Sequence, residues 1–198
     1  MNYLAHAYLS FNNSEILIGN MISDFVKGKK QFDFSIDIQR GIRLHRHIDA
    51  YTDSHPVTKQ ATALFKPVTG LYASVFIDIA YDHFLARDTQ EFKDNNLATF
   101  AADVYKKLYD NAHVLPERFL NILPFMSQQN WLFNYNSLQG IEKSFAGIAR
   151  RARFLETSHP AFTCFCDNYA TLESLYHRFF PELRKQTDIF YNEVMAMV

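Results

Sequence analysis

Breakers are scarce in this sequence. Six glycines and six prolines punctuate 198 residues, too few to reverse the chain every ~10 residues as a strand-rich fold requires. Long helices are the better solution, and the aromatic content suits them. Nineteen phenylalanines and eleven tyrosines against one tryptophan provide bulk for helix-helix packing. With 48% apolar and 21% charged residues, the chain can bury a core and is not disordered. The reading is an all-α, single-domain helical bundle spanning residues 1–198.

In chain order, a short apolar helix is expected over residues 2–9, carrying His6. A second runs from Ser14 to Val26, closed by Lys27-Gly28-Lys29-Lys30, since cations and glycine suit a helix C-terminus. Gln31 to Ile36 reads as a loop. A third helix begins near Asp37 and stops before Pro56. Further helices are expected from Pro56 to Phe65, ended by Lys66-Pro67, over Leu71–Ala86 and over Phe92–Tyr109. A short one falls between Pro116 and Pro124, and one or two cover Trp131 to Phe154. The last two, Ala161–Phe180 and Glu182–Met197, are split at Pro181.

Three of the early helices carry a polar pair at i, i+4, the spacing that stacks side chains on one stripe. The pairs are Asn20/Asp24, His45/Asp49 and Asp78/Asp82, with Asp53 extending the second stripe. Carboxylates inside a segment as apolar as Phe76–Leu85 must face water, accept hydrogen bonds or bind a cation. His83 follows Asp82 about 100° further round the helix, at the edge of the same face. Imidazole and carboxylate donors suit Mn²⁺ or Mg²⁺ better than a cysteine-rich zinc site. Such an ion can polarise a phosphoryl oxygen and activate a water. Lys27, Arg43 and Arg46 lie close in sequence and can offset phosphate charge. A metal-dependent hydrolase is the chemistry these residues suggest. A solvated helix face is the alternative for the charged runs.

Other classes fit less well. A formal net charge of -1 carries no electrostatic signature for nucleic acid. Cys164 and Cys166 have no second pair to complete a zinc knuckle, and read as reduced, buried thiols of a cytoplasmic protein. No basic-then-apolar segment opens the sequence, and no apolar run approaches the ~18 residues of a membrane span.

Four ordered blocks resemble one family along the full length. They are Asn2 to His6; Ile18-Gly19-Asn20 with Asp24-Phe25-Val26-Lys27-Gly28; Gly41 to Arg46 with Ile48-Asp49, Thr52-Asp53 and His55-Pro56; and Asp78 with Asp82-His83-Phe84-Leu85. These are similar to the successive motifs of acyl carrier protein phosphodiesterases, a divergent branch of the all-helical HD-domain phosphohydrolases. Ser23 stands where that family is expected to favour glycine. The resemblance implies hydrolysis of the phosphodiester joining 4'-phosphopantetheine to a serine of holo-acyl carrier protein, by a water activated on a divalent ion, manganese preferred. It implies a metal set of Asp24, His45, Asp49, Asp78, Asp82 and His83, with His6 a further member. A carboxylate or His83 would take the proton from water, and Arg43 or Arg46 would stabilise charge on phosphorus. Carrier proteins are small and acidic, which implies docking on Lys27, Lys29, Lys30, Arg40 and Arg46, with Arg150, Arg151 and Arg153 a second patch. A nucleotide phosphohydrolase and a non-enzymatic carrier-protein binder are the competing readings.

Overall fold

The computed structural model describes residues 1–93 and 96–196, and every regular element among them is helical, as the scarcity of breakers implies. The chain opens with α1 (Tyr3–Tyr8) and α2 (Ser14–Ile22). Asn13 starts α2: its side chain accepts from the N–H groups of Glu15 and Ile16, two of the four donors that a helix start leaves without partners. The helix stops at Ile22, short of the expected Val26, and a 3-10 turn over Ser23–Phe25 follows. A second 3-10 segment, Gly28–Asp33, occupies part of the expected loop. Next comes α3 (Ile36–Ser54), capped by Ser35 and ended ahead of Pro56.

The α2 and α3 backbones touch. A Cβ at Gly19 would lie 2.1 Å from the Ile38 carbonyl oxygen, and one at Gly41 would lie 2.3 Å from that of Ile16. Two glycines facing each other let the helices cross at main-chain contact, which presses the last turn of α2 against the middle of α3. Asn20 of α2 and His45 of α3 meet beside this crossing.

Beyond it, α4 (Pro56–Thr69) and α5 (Ala73–Arg87) follow. The expected stop at Pro67 is corrected: α4 runs through it to Thr69. The proline lacks one N–H in the final turn, and buried Phe65 and Thr69 on that turn outweigh the loss. By length and composition, Pro56–Arg87 would reach across a membrane, against the expectation that no stretch does. In the structure Gly70, with φ of 55°, parts it into two helices. They pack together through buried Phe65 and Phe76, whose ring centroids are 6.2 Å apart. Phe145 stands edge-on to both.

The second half contains α6 (Leu97–Asp110), α7 (Glu117–Leu120), α8 (Leu123–Gln128), α9 (Trp131–Asn134), α10 (Leu138–Ala149), α11 (His159–Asp167) and α12 (Tyr169–Ala196). α6 starts at Leu97 rather than Phe92. The break expected at Pro181 is at Asn168, whose side-chain N–H group donates to the Cys164 carbonyl at 2.9 Å and closes α11. α12 passes Pro181 because Phe179, Phe180, Leu183 and Thr187 are buried on both sides of it. The expected end at Met197 lies outside the described residues. Cys164 is half-buried and Cys166 exposed, both free thiols, which corrects the expectation of buried cysteines. α11 buries Ala161 and Phe165, and Cys166, next to Phe165, is turned off that stripe.

Candidate metal centre

Three elements meet at the α2–α3 crossing and supply His6 from α1, Asp24 from the 3-10 turn after α2, and His45 with Asp49 from α3. One donor atom each from His6, His45 and Asp49 lies within 4.8 Å of the others. His6 Nε2 is 3.2 Å from Asp49 Oδ1, and His45 Nε2 is 3.0 Å from Asp49 Oδ2. Asp24 Oδ1 stands 3.3 Å from the same His45 Nε2. The imidazoles are buried, while Asp24 is open to solvent and Asp49 partly so. The cluster thus has a dry floor and a wet rim.

The ring orientations decide what the cluster can hold. His45 Nδ1 is 2.7 Å from the main-chain carbonyl of Asn20, which can only accept, so Nδ1 carries a proton. His6 Nδ1 is 2.8 Å from Asn20 Oδ1. That amide is oriented by its own Nδ2, which donates to the His6 carbonyl at 2.8 Å and to Ser10 Oγ at 3.1 Å. His6 Nδ1 is therefore also a donor. Both rings turn their Nε2 atoms toward carboxylate oxygens, and His45 Nε2 is buried without a well-aligned hydrogen-bond partner. Lone pairs facing carboxylates repel unless a positive charge lies between them.

Without an ion, that charge is a proton on His45. Burial alone would depress its pKa, but the carboxylates of Asp24 and Asp49, 3.3 and 3.0 Å from Nε2, outweigh burial and lift it to about 9. Burial, and then the charge on His45, lower His6. Burial would raise Asp49, yet its contacts with His45 and His6 hold it far below the usual carboxylate range. Hydrogen bonding to His45 lowers Asp24. Once an ion displaces the His45 proton, ionised carboxylates converging with imidazole nitrogens are a donor set for a divalent cation.

The remaining expected residues divide. Asp78 adjoins the cluster through the buried amino group of Met1, which lies 2.9 Å from Asp78 Oδ1 and 3.6 Å from Asp49 Oδ1. Burial works against charge on that amine, but Asp78 and Asp49 raise it to about 10. Asp82 does a different job. Its Oδ1 accepts from the N–H groups of Asn2 (3.2 Å) and Ala5 (3.3 Å), and its Oδ2 from Leu4 (2.7 Å). It anchors the start of α1, and with it His6. Burial pushes its carboxyl up to about 7 against those donors.

His83 is not brought to the cluster. Its Nδ1 donates to the Tyr135 carbonyl at 2.6 Å, leaving Nε2 to accept from the Tyr169 hydroxyl at 2.8 Å. Burial lowers its pKa to about 4. The ~100° step from Asp82 carries it toward Phe165 and Tyr169 instead. Arg43, two residues before His45, is about 200° round α3 and exposed, away from the cluster. Arg46 donates to Gln31 at 2.9 Å, and Arg40 pairs with Asp37 at 2.6 Å. Lys27, Lys29 and Lys30 are exposed on the segment between Asp24 and α3, beside an exposed Phe32. Of the second patch, Arg151 and Asp24 act in opposite directions on the half-buried Tyr3 phenol, which desolvation lifts to about 12. Sequence reasoning paired Asn20 with Asp24 by spacing and missed its contacts with both imidazoles.

A family model described as acyl carrier protein phosphodiesterase matches residues 1–183. A protein named acyl carrier protein phosphodiesterase from Photorhabdus laumondii is 32% identical over 189 residues, 95% of this chain and 96% of the relative. Proteins of the same name from Yersinia enterocolitica and Serratia proteamaculans are 31% and 30% identical, each match covering 94% of this chain and 97% of the relative. No solved structure matches.

Proposed function

The chain belongs to the acyl carrier protein phosphodiesterase family, and from that premise we propose that it hydrolyses the phosphodiester between 4'-phosphopantetheine and a serine of holo-acyl carrier protein, giving the apo-protein and free 4'-phosphopantetheine. The observation that carries the reading is the convergence of His6, His45 and Asp49, with His45 Nε2 buried and lacking an aligned partner. These three, with Asp24 at the rim, would hold a divalent ion, manganese or magnesium by the hardness of the oxygen donors. When bound, it would supply Lewis acidity at a phosphoryl oxygen and a water of lowered pKa.

The chain's own residues do the rest. Asp82 fixes α1 so that His6 stays in place, and Asp78 neutralises the amine beside Asp49. Asp24, open to solvent, turns Oδ1 toward the cluster, and its second oxygen would take a proton from a nucleophilic water. Arg46 and Lys27, both exposed beside Asp24 and His45 in the sequence, would offset phosphate charge, a role that Arg43, about 200° round α3 from His45, is less well set to share. His83 is a structural residue of α5 in this scheme. The acidic partner docks on Lys27, Lys29 and Lys30, flanked by Arg46 and Arg40. The relation to HD-domain phosphohydrolases is part of the same proposal, supported by histidine and aspartate converging from separate helices; so is a cytoplasmic location.

Intact mass spectrometry of holo-acyl carrier protein tests it. Incubation with chelated and manganese-supplemented protein should give the apo mass in the second sample alone. An unchanged holo mass in both would remove the reading.

A further inference from the structure

The last turn of α2 contacts both imidazoles of the cluster, and one residue makes both contacts. A helix leaves its last four carbonyls without intrahelical partners. Asn20 belongs to that last turn, and the close Gly19–Gly41 crossing delivers its carbonyl to within 2.7 Å of His45 Nδ1. Its side-chain oxygen meets His6 Nδ1 at 2.8 Å. The side-chain nitrogen bonds to the His6 carbonyl and to Ser10 Oγ, so the amide cannot turn round to offer a donor to the ring. Asn20 is fully buried.

We propose that Asn20 is a positioning residue that fixes the tautomer of both imidazoles, so that His6 and His45 present bare Nε2 atoms to a shared cation. The inference rests on the metal reading above and adds to it the residue that prepares the cluster. A neutral imidazole that carries its proton on Nε2 cannot ligate through that atom. Partners of this kind are worth roughly 10- to 100-fold in metal affinity. For His45 the acceptor is main chain, and substitution at position 20 leaves it in place. For His6 it is the side chain, and substitution removes it.

The test reads the ring nitrogens of His6 by long-range ¹H–¹⁵N correlation in metal-free protein near neutral pH. It compares wild type, Asn20→Asp and Asn20→Leu. Both variants lose the amide donor, but the aspartate keeps an oxygen facing Nδ1. Wild type and Asn20→Asp should show His6 protonated on Nδ1, and Asn20→Leu should move the proton to Nε2. Manganese affinity should fall about 10- to 100-fold in the leucine variant and less than tenfold in the aspartate variant. The His83 pattern, set by Tyr135 and Tyr169 and by no contact with Asn20, reports whether each variant is folded. A leucine variant that keeps the Nδ1 proton, or an aspartate variant that loses as much affinity as the leucine one, would overturn the proposal. Should the leucine variant fail to fold, the aspartate variant decides alone: retention of the Nδ1 proton supports the proposal and its loss overturns it. A wild type with the stated tautomer that takes up no manganese would remove the metal reading and leave the tautomer assignment standing.

Discussion

The rings of His6 and His45 lie 3.9 Å apart and within 14° of parallel. Two stacked imidazoles cannot both carry a charge at low cost, and here Asp24 and Asp49 outweigh burial to raise His45 to about 9 while burial and the charge on His45 lower His6. In the proposed metal-bound protein a divalent ion would supply that positive charge for both. Manganese at one hundred times its dissociation constant should therefore stabilise the chelated protein by about 2.7 kcal/mol, read as a rise in thermal midpoint. His6→Ala and Asp49→Ala should abolish the shift. A shift that survives both substitutions would place the ion elsewhere.

Asp82 tests whether a carboxylate in the motif set binds an ion or builds the fold. Asp82→Ala leaves the N–H groups of Asn2, Leu4 and Ala5 without their acceptor, and Leu4 and Ala5 are fully buried. The expected cost is about 3 kcal/mol, measured by urea unfolding of metal-free protein. A ligand role would leave the metal-free stability unchanged and affect the manganese-dependent increment alone.

His83 makes stability depend on acid. Its folded-state pKa of about 4 lies below the ~6.5 of an unfolded histidine, so the unfolded chain binds the proton more readily. Its contribution is complete above pH ~6.5, declines as pH falls, and is gone by about 4. Over that window wild type should lose on the order of 3 kcal/mol more than His83→Gln. Parallel unfolding curves for the two would show that the buried ring does not titrate.

The α2–α3 crossing should tolerate no side chain. Gly19→Ala or Gly41→Ala forces a methyl into main-chain atoms 2.1 to 2.3 Å away, which cannot swing aside as a side chain could. Destabilisation of about 3 kcal/mol or more follows, and any folded fraction should bind manganese more weakly because Asn20 is displaced from His45. Wild-type stability in either variant would mean that the helices are further apart than described.

Charge reversal at Lys29 and Lys30 should raise KM for holo-carrier protein severalfold with little change in kcat. The effect should shrink at high salt, since these side chains are exposed and act through screened Coulomb attraction. A loss confined to kcat would assign them to the chemistry instead.

Helix class and most helix starts can be read from the residues because capping and periodicity are local. The ends are less legible. α2 stops early to release the Asn20 carbonyl to His45, and α4 and α12 run through Pro67 and Pro181 because packing by Phe65 and Phe179 outweighs one missing hydrogen bond. At the site, the i, i+4 rule finds His45 and Asp49 but treats neighbours as equivalent. Asp82 and His83 differ by one residue and face different partners, one anchoring α1 and the other locked between Tyr135 and Tyr169. His6 reads as an isolated core histidine until its ring is seen stacked on His45 with Nε2 3.2 Å from Asp49. Asn20 carries no charge to draw notice, and its role exists only where two helices touch.

The central claim is that His6, His45 and Asp49, with Asp24, hold the ion on which phosphopantetheine release depends. Titrating metal-stripped protein with manganese while following 4'-phosphopantetheine released from holo-carrier protein tests it most directly. The account predicts turnover that is absent at the start, saturates at about one equivalent per chain, and disappears in Asp49→Ala at every manganese concentration. Full turnover before any manganese is added, or an unaltered titration in the Asp49 variant, would contradict it.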